Sequence, residues 1–288
     1  MASSEPIGRV AVTVDLEEYF QVQVMEGVVR PEDWGSMPAR IEAQMERLLA
    51  LLDAAGAKTT WFVVGWIAER YPRLIARLAA EGHELGCHSF WHRRVGTLEP
   101  AEFREDTRRA KAAIEAAAGV EVQGYRAPNF SIRLDMEWAW EILAEAGFTY
   151  DSSVHPVRHA HYGAAGAPRR PFRIARHGLW ELPLATARMA RQPLPMAGGA
   201  YWRAAPLLYS RAMVRRAARQ LGRVNCYLHP WELDPGQPRL PASWIGRMRH
   251  YTGLRTMEPK LARMLGEFGC VPLRELYAAE LAMAEVPA

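Results

Sequence analysis

The chain has 288 residues, of which 49% are hydrophobic and 24% charged, and its formal net charge is +4. This composition excludes intrinsic disorder, collagen and coiled coil, and the length suits one large α/β domain or two small ones. The arginines are scattered among acids along the predicted helices, which argues against a nucleic-acid partner.

Cysteine usage and hydropathy bear on the location of the protein. No window reaches the roughly 18 uninterrupted apolar residues of a membrane span, so we expect no integral membrane segment. The first residues lack the basic leader and apolar segment of a secretory signal. The three cysteines cannot all pair, and free thiols fit a reducing compartment. We therefore expect a cytoplasmic protein, with its oligomeric state open.

Strands and helices alternate along the first half of the chain. β-branched and aromatic runs predict buried strands, and apolar residues at helical spacing predict the helices between them. The predicted elements are strands at 9–15, 59–64, 83–87, 123–126 and 148–151 and helices at 40–54, 72–81, 100–118 and 135–146. Strands that alternate with helices indicate a parallel sheet.

The alternation breaks at 156–205, which is rich in glycine, proline and arginine and holds short strand-like pieces at 172–175 and 179–183. We interpret this stretch as a loop-rich insertion near the mouth of an α/β barrel. The part from 206 to 288 then completes the barrel, with helices predicted at 206–221 and 258–267, strands at 225–228 and 270–273, and a terminal helix. About seven strand–helix units without a linker predict one α/β barrel domain over 1–288.

Reactive side chains stand at the ends of five predicted strands. In a βα barrel, side chains at the carboxyl ends of the strands face one shared mouth. Each of the five has a structural alternative, such as a buried ion pair for the arginine or a neutral core position for a histidine. Their convergence on one rim favours an active site made of Asp15, His88, Arg126, Asp151 and His229.

His88 and His92 are four residues apart, a spacing that places two imidazoles on one side of a helical turn, within reach of one metal ion. Two surface histidines also occur at this spacing by chance. Glu17 and Glu18 follow the first strand, and a carboxylate from there would complete a two-histidine, one-carboxylate metal site with an open position. Alternation along an extended chain points Asp15 and Glu17 the same way and Glu18 the other.

The chain resembles the polysaccharide deacetylases of carbohydrate esterase family 4. Four motifs in the order of that family carry the resemblance: Thr13-Val14-Asp15, His88-Ser89-Phe90-Trp91-His92, Arg126-Ala127-Pro128-Asn129-Phe130 and Leu228-His229. A closer likeness, to the branch found with bacterial exosortase-linked exopolysaccharide systems, lies in Val14-Asp15-Leu16-Glu17-Glu18-Tyr19-Phe20-Gln21-Val22, Tyr150-Asp151-Ser152-Ser153, Gly198-Gly199-Ala200-Tyr201-Trp202-Arg203 and His229-Pro230-Trp231-Glu232-Leu233.

The resemblance implies a distorted (β/α)7 barrel, a divalent metal that is usually zinc, and hydrolysis of the N-acetyl group of a hexosamine unit in an N-acetylated glycan. It assigns the metal to His88, His92 and a carboxylate. The family has two adjacent aspartates in its first motif, whereas Leu16 follows Asp15 here. Glu17 is the natural replacement as ligand, with Glu18 as the alternative.

The resemblance also implies the catalytic roles. Asp15 is the general base and Arg126 keeps it ionised, while His229 is the general acid. Asp151 is expected to hold His229 in its charged form, and Ser89 to support the histidine segment by hydrogen bonding. Aromatic residues beside the motifs are candidates for stacking on sugar faces: Tyr201, Trp202 and Trp231.

Three other functions are compatible with parts of this pattern. The same site could hydrolyse a small cyclic amide or ureide, as in the allantoinase-like relatives of this fold. A catalytically inactive glycan-binding module would need a broken metal set or the loss of Asp15 or His229, and both are present. A glycosidase that uses Glu17 and Glu232 would leave the histidine pair without a role.

Overall fold

The structure is a computed structural model that describes residues 9–158, 163–174, 176–190 and 192–283. In this part of the chain the strands are β1 Val10–Leu16, β2 Thr60–Val63, β3 Glu84–Cys87, β4 Gly124–Tyr125, β5 Tyr150–Asp151, β6 Phe172–Ile174, β7 Leu179–Glu181, β8 Thr186–Met189, β9 Gln192–Pro195 and β10 Val224–Leu228.

The helices lie mainly between the strands in sequence. They are α1 Ile41–Ala54, α2 Gly65–Arg70, α3 Pro72–Ala80, α4 Pro100–Ala118, α5 Glu137–Glu145, α6 Gly199–Ala204, α7 Leu207–Leu221, α8 Trp244–Tyr251, α9 Leu254–Phe268, α10 Leu273–Leu276 and α11 Ala278–Ala282. Among the described residues, no helix combines the length and the apolar character that crossing a membrane requires.

The main sheet has eight strands in the order β10-β1-β2-β3-β4-β5-β7-β6. The first seven run parallel, and β6 pairs antiparallel with β7 at the edge. The chain after β7 returns to β10, because the Ala185 N–H donates to the Asn225 carbonyl at 2.9 Å. The seven parallel strands therefore curl toward closure, and the predicted α/β fold, a distorted (β/α)7 barrel in one domain, is confirmed.

Every residue of β1 is buried, which explains its largely apolar sequence: helices cover one face of the sheet and the barrel interior covers the other. The interior is filled by side chains such as Phe62 and Tyr150 and is closed at the bottom by Leu273 and Leu276. The reactive side chains of the site lie at the other end of the barrel, at the carboxyl ends of the strands.

Helix α4 shows how local sequence sets the element boundaries. Glu99 caps its N-terminus in a reciprocal capping box with Glu102, and Pro100 occupies the first turn. Gly119 ends the helix with a φ of 68°, a left-handed conformation that glycine adopts without strain. These signals lie in the sequence, and the helix predicted at 100–118 has the observed bounds.

Two predicted regions differ from the structure. The strand predicted at 270–273 is wrong: Val271 makes one backbone hydrogen bond to the Val10 carbonyl, and α10 begins two residues later because Pro272 favours a helix start. The stretch 156–205 contains β6 to β9 and α6, and β7 is a strand of the parallel sheet. Residue 175, at the end of the predicted strand 172–175, lies outside the described residues, and the domain boundaries stay a prediction.

Candidate active site

A buried cluster of Glu17, His88 and His92 lies where β1 and β3 end. One potential ligand atom from each residue lies within 4.8 Å of the others, and all three side chains are buried. Glu17 Oε2 is 2.7 Å from His92 Nε2. Two imidazoles and one carboxylate are a ligand set that suits a divalent transition metal with an open coordination position.

The two histidines converge through a loop, so the helical turn predicted for them is wrong. Ser89 and His92 both have left-handed φ values, 64° and 52°, which a helix would not allow. Asp106 of α4 holds the loop in this conformation, because its carboxylate accepts hydrogen bonds from Ser89 Oγ at 2.7 Å and from the Phe90 N–H at 2.7 Å. Asp106 is thus a positioning residue that the sequence analysis missed.

The protonation state of His88 fits a metal ligand. Burial lowers the pKa of His88 to about 4, which keeps the ring neutral at pH 7. Its Nδ1 lies 2.7 Å from the Arg126 backbone carbonyl, an acceptor that requires the proton to be on Nδ1. The lone pair of Nε2 is therefore free for a metal ion, the usual arrangement of a histidine ligand.

Glu17 and Glu18 have different environments. Burial raises the pKa of Glu17, but the charges of His92 and His229 outweigh it and bring the pKa to about 2. Glu18 instead accepts hydrogen bonds from the Arg40 and Ile41 N–H groups at the start of α1. The structure therefore places Glu17 with the histidines and uses Glu18 as a helix cap.

Asp15 lines the same cleft and forms a buried ion pair with Arg126. Arg126 Nη1 donates to Asp15 Oδ1 at 2.7 Å, and both side chains are at most 2% exposed. Three further N–H groups of the guanidinium donate to Thr13 Oγ1, to the Ser152 carbonyl and to Ser152 Oγ, and the guanidinium lies 4.1 Å from the centre of the Phe62 ring. These contacts fix the guanidinium and therefore the direction of the Asp15 carboxylate.

His229 follows β10 and contacts two carboxylates. Its Nε2 is 3.3 Å from Glu17 Oε1, and its Nδ1 is 3.3 Å from Glu232 Oε1. Burial lowers the pKa of His229, but the charges of Glu17 and Glu232 outweigh burial and raise it to about 9. The ring stacks on Trp231 with centroids 5.0 Å apart. The two carboxylates and the Trp231 ring together fix the orientation of the His229 imidazole.

The predicted pairing of Asp151 with His229 is wrong. The Asp151 carboxylate accepts hydrogen bonds from Trp140 Nε1 at 2.9 Å and from Ser153 Oγ, and it shares a hydrogen bond with Glu181. Burial and the Asp151 charge raise the Glu181 pKa well above its usual value, so Glu181 holds a proton. Asp151 thus belongs to a buried carboxyl pair outside the cleft.

Glu232 takes the place that the sequence analysis gave to Asp151. It lies three residues after His229, is fully buried, and sits 3.5 Å from Arg203 Nε. Gly199 is required beside it, because a Cβ there would overlap the Glu232 carboxylate. The motifs around Gly199 and Glu232 were visible in the sequence, but their contact depends on how α6 packs against the end of β10.

The three aromatic residues predicted to contact substrate lie in different environments. Trp231 lines the cleft, and its Nε1 donates to Glu17 Oε1 at 3.1 Å, so it orients a carboxylate of the cluster. Trp202 is 2% exposed in the hydrophobic core and donates to the Met196 carbonyl, so its predicted substrate contact is wrong. Tyr201 is half-buried beside Ala200, which lines the cleft, and its role stays a prediction.

The cleft above these residues has a volume of about 160 Å³. Beyond the residues already described, its lining includes Val22, Asn129, Phe130, Tyr227, Arg249 and His250. A pocket of this size with apolar walls and acid–base groups at one end suits a small acyl or amide group.

Two family profiles match the chain. Residues 33–150 match polysaccharide deacetylase, and residues 152–278 match a domain of unknown function, DUF3473. The two clustered histidines and Arg126 lie in the first matched stretch, the acids that end β1 precede it, and His229 lies in the second.

Curated relatives are similar over part of the chain. A chitooligosaccharide deacetylase of Bradyrhizobium sp. (strain ANU 289) is 29% identical over 38% of this chain and 47% of its own length. A peptidoglycan-N-acetylglucosamine deacetylase of Bacillus cereus is 28% identical over 33% of this chain and 35% of its own length. The aligned part thus spans less than half of these relatives.

Solved structures share the fold across the whole chain. A protein of Mycobacterium smegmatis assigned to the polysaccharide deacetylases aligns with a TM-score of 0.62 at 20% identity, over 100% of this chain and 94% of its own. A family 4 carbohydrate esterase of Streptomyces lividans aligns with a TM-score of 0.50 at 16% identity, over 92% of both chains. The matched profile thus identifies a polysaccharide deacetylase domain at residues 33–150, and the chain shares the barrel fold of these solved structures.

Proposed function

We propose that this protein is a metal-dependent hydrolase that removes N-acetyl groups from hexosamine units of a polysaccharide or its precursor. One observation carries the proposal: the Glu17, His88 and His92 cluster shares a single cleft with Asp15, the ion-pair partner of Arg126, and with His229. The curated relatives are named for deacetylation of N-acetylated glycans, which supports this reaction over hydrolysis of a cyclic amide or ureide.

The residues of the cluster fit a divalent ion, most simply Zn²⁺, because His88 is neutral with its Nδ1 satisfied and Glu17 is ionised. When bound, such an ion polarises the amide carbonyl and lowers the pKa of water at the site. Trp231 holds one oxygen of Glu17 through its indole N–H, which fixes the direction of that carboxylate.

Asp15 would take a proton from the attacking water. The Arg126 guanidinium, fully buried against it, fixes the direction of the carboxylate. The oxygen of this water then forms the new bond to the acetyl carbon.

His229 would complete the reaction by giving a proton to the amine nitrogen as the C–N bond breaks. Its Nε2 faces the cluster, and Glu232 accepts from its Nδ1, which stabilises the protonated ring. Acetate and a free amino sugar are then the products, and the proton taken by Asp15 balances the one that His229 gave.

The proposal is tested by acetate release from N-acetylglucosamine oligomers. We expect release by the purified chain, loss of release after chelation, and recovery after addition of Zn²⁺. Allantoin serves as the rival substrate in parallel assays. Cleavage of allantoin without acetate release from any oligomer would contradict the proposal and favour the cyclic ureide alternative.

The choice of Glu17 as ligand predicts a difference between two neighbouring variants. Glu17→Gln is expected to raise the metal dissociation constant by about tenfold or more, because it removes a charged ligand, and excess metal should restore part of the activity. Glu18→Gln is the matched control and is expected to leave metal affinity unchanged, because Glu18 caps α1. A large loss in Glu18→Gln and none in Glu17→Gln, measured by competition with a metal indicator, would reverse the assignment.

A further inference from the structure

Helix α8 lies at the rim of the cleft and carries an uncovered apolar face. Arg249 and His250 near its end line the cleft, and Gly246 packs closely on Val24. On the outer side, Trp244 is 73% exposed, Ile245 49% and Met248 54%. These three residues fall within about 100° around the helix axis, so they form one surface.

The same region holds a local excess of positive charge. Residues 235–257 contain no aspartate or glutamate, and their four arginines are all exposed: Arg239, Arg247, Arg249 and Arg255. None of the four makes an ion pair among the described residues. Exposed arginines on α4 are instead neutralised, since Arg104 pairs with Glu145 and Arg108 with Glu105.

We propose that this α8 surface, formed by Trp244, Ile245 and Met248 within the arginine-rich stretch 235–257, binds an anionic phospholipid membrane. Tryptophan, aliphatic side chains and arginines on one helix are the composition of segments that lie in the membrane interface. The arginines complement the negative charge of acidic lipids. A glycan would stack on the tryptophan but would gain little from the isoleucine and methionine.

Membrane contact at α8 would bring the cleft close to glycans that are attached to lipid. The proposal does not rest on the deacetylation reaction, because the surface is defined by exposure and charge alone. The catalytic residues lie outside this α8 surface.

Vesicle co-sedimentation with the full chain tests the proposal. We expect binding to vesicles of 70% phosphatidylcholine and 30% phosphatidylglycerol, weaker binding at high salt, and little binding to pure phosphatidylcholine. The double variant Trp244→Ser/Met248→Ser and the double variant Arg247→Gln/Arg255→Gln should each bind at least about tenfold more weakly. Acetate release from soluble oligomers should be unchanged in the double variant Trp244→Ser/Met248→Ser.

Two variants serve as matched controls: Leu208→Ser, at an equally exposed apolar residue of α7, and Arg108→Gln, at an ion-paired arginine of α4. Both should bind vesicles like the wild type, and thermal melting checks that every variant is folded. Equal binding by all variants, or no binding to anionic vesicles, would overturn the proposal. It would also be overturned if Trp244→Ser/Met248→Ser abolished binding to an acidic polysaccharide or self-association while vesicle binding stayed the same.

Discussion

Replacement of His229 by alanine is expected to lower kcat by about 10²- to 10⁴-fold while bound metal remains, because the amine then leaves without a positioned proton donor. In the wild type, activity should fall as pH rises through the pKa of His229, since only the protonated ring can donate. This alkaline limb should be absent in His229→Ala. Turnover and metal content should be measured on the same preparation. Lost turnover with retained metal would show that His229 is the general acid, whereas loss of metal would show that it is a metal ligand.

Glu232→Gln tests the same proton donor with a smaller expected effect on kcat. The amide can still accept a hydrogen bond from His229 Nδ1, but it no longer stabilises the charged ring. We expect a smaller loss of kcat, about tenfold, with unchanged metal affinity. A fall in kcat at constant metal content, with the alkaline limb moved to lower pH, would distinguish this positioning role from a general loss of structure.

Asp15→Asn is expected to abolish measurable turnover with the metal retained. The variant keeps the shape of the side chain but cannot take a proton from water, a loss of about 10²- to 10⁴-fold or more. It also leaves the fully buried Arg126 without an anionic partner, which should lower the free energy of unfolding by about 3 kcal/mol. In this variant we therefore expect activity to be lost and the urea midpoint to fall, while the metal content stays the same.

Arg126→Lys provides a second comparison at the same pair. A lysine keeps the charge but cannot make the forked contacts with Asp15, Thr13 and Ser152 at once. We expect a variant that binds metal normally and has intermediate turnover. Wild-type turnover in Asp15→Asn would contradict the role of Asp15 as base and leave the metal cluster as the main source of catalysis.

The sequence predicts the elements and the strand-end residues well because both depend on local patterns. Buried parallel strands are largely apolar runs, and in this fold class the residues at their carboxyl ends face one shared mouth. Asp15, His88, Arg126 and His229 follow from this rule. The structure brings Asp15, His88 and His229 to one cleft, with Arg126 buried behind Asp15. The choice between Glu17 and Glu18 follows in part from strand alternation.

The supporting residues could not be predicted because their contacts depend on how turns and elements pack. Asp106 is an ordinary acid of an amphipathic helix until α4 packs against the histidine loop. Glu232 becomes the partner of His229 through a short turn after β10, whereas Asp151 stands at a strand end but contacts Glu181 inside the fold. Side-chain contacts between distant segments depend on packing, and one-dimensional spacing does not specify them.

Metal content of the purified chain, measured together with acetate release, shows whether His88 and His92 hold a metal ion that the reaction needs. We expect about one equivalent of a divalent metal in the wild type, and loss of both metal and activity in the double variant His88→Ala/His92→Ala, with thermal melting to show that the barrel still folds. Full metal occupancy in the folded double variant, or undiminished acetate release from it, would contradict a metal-dependent hydrolase.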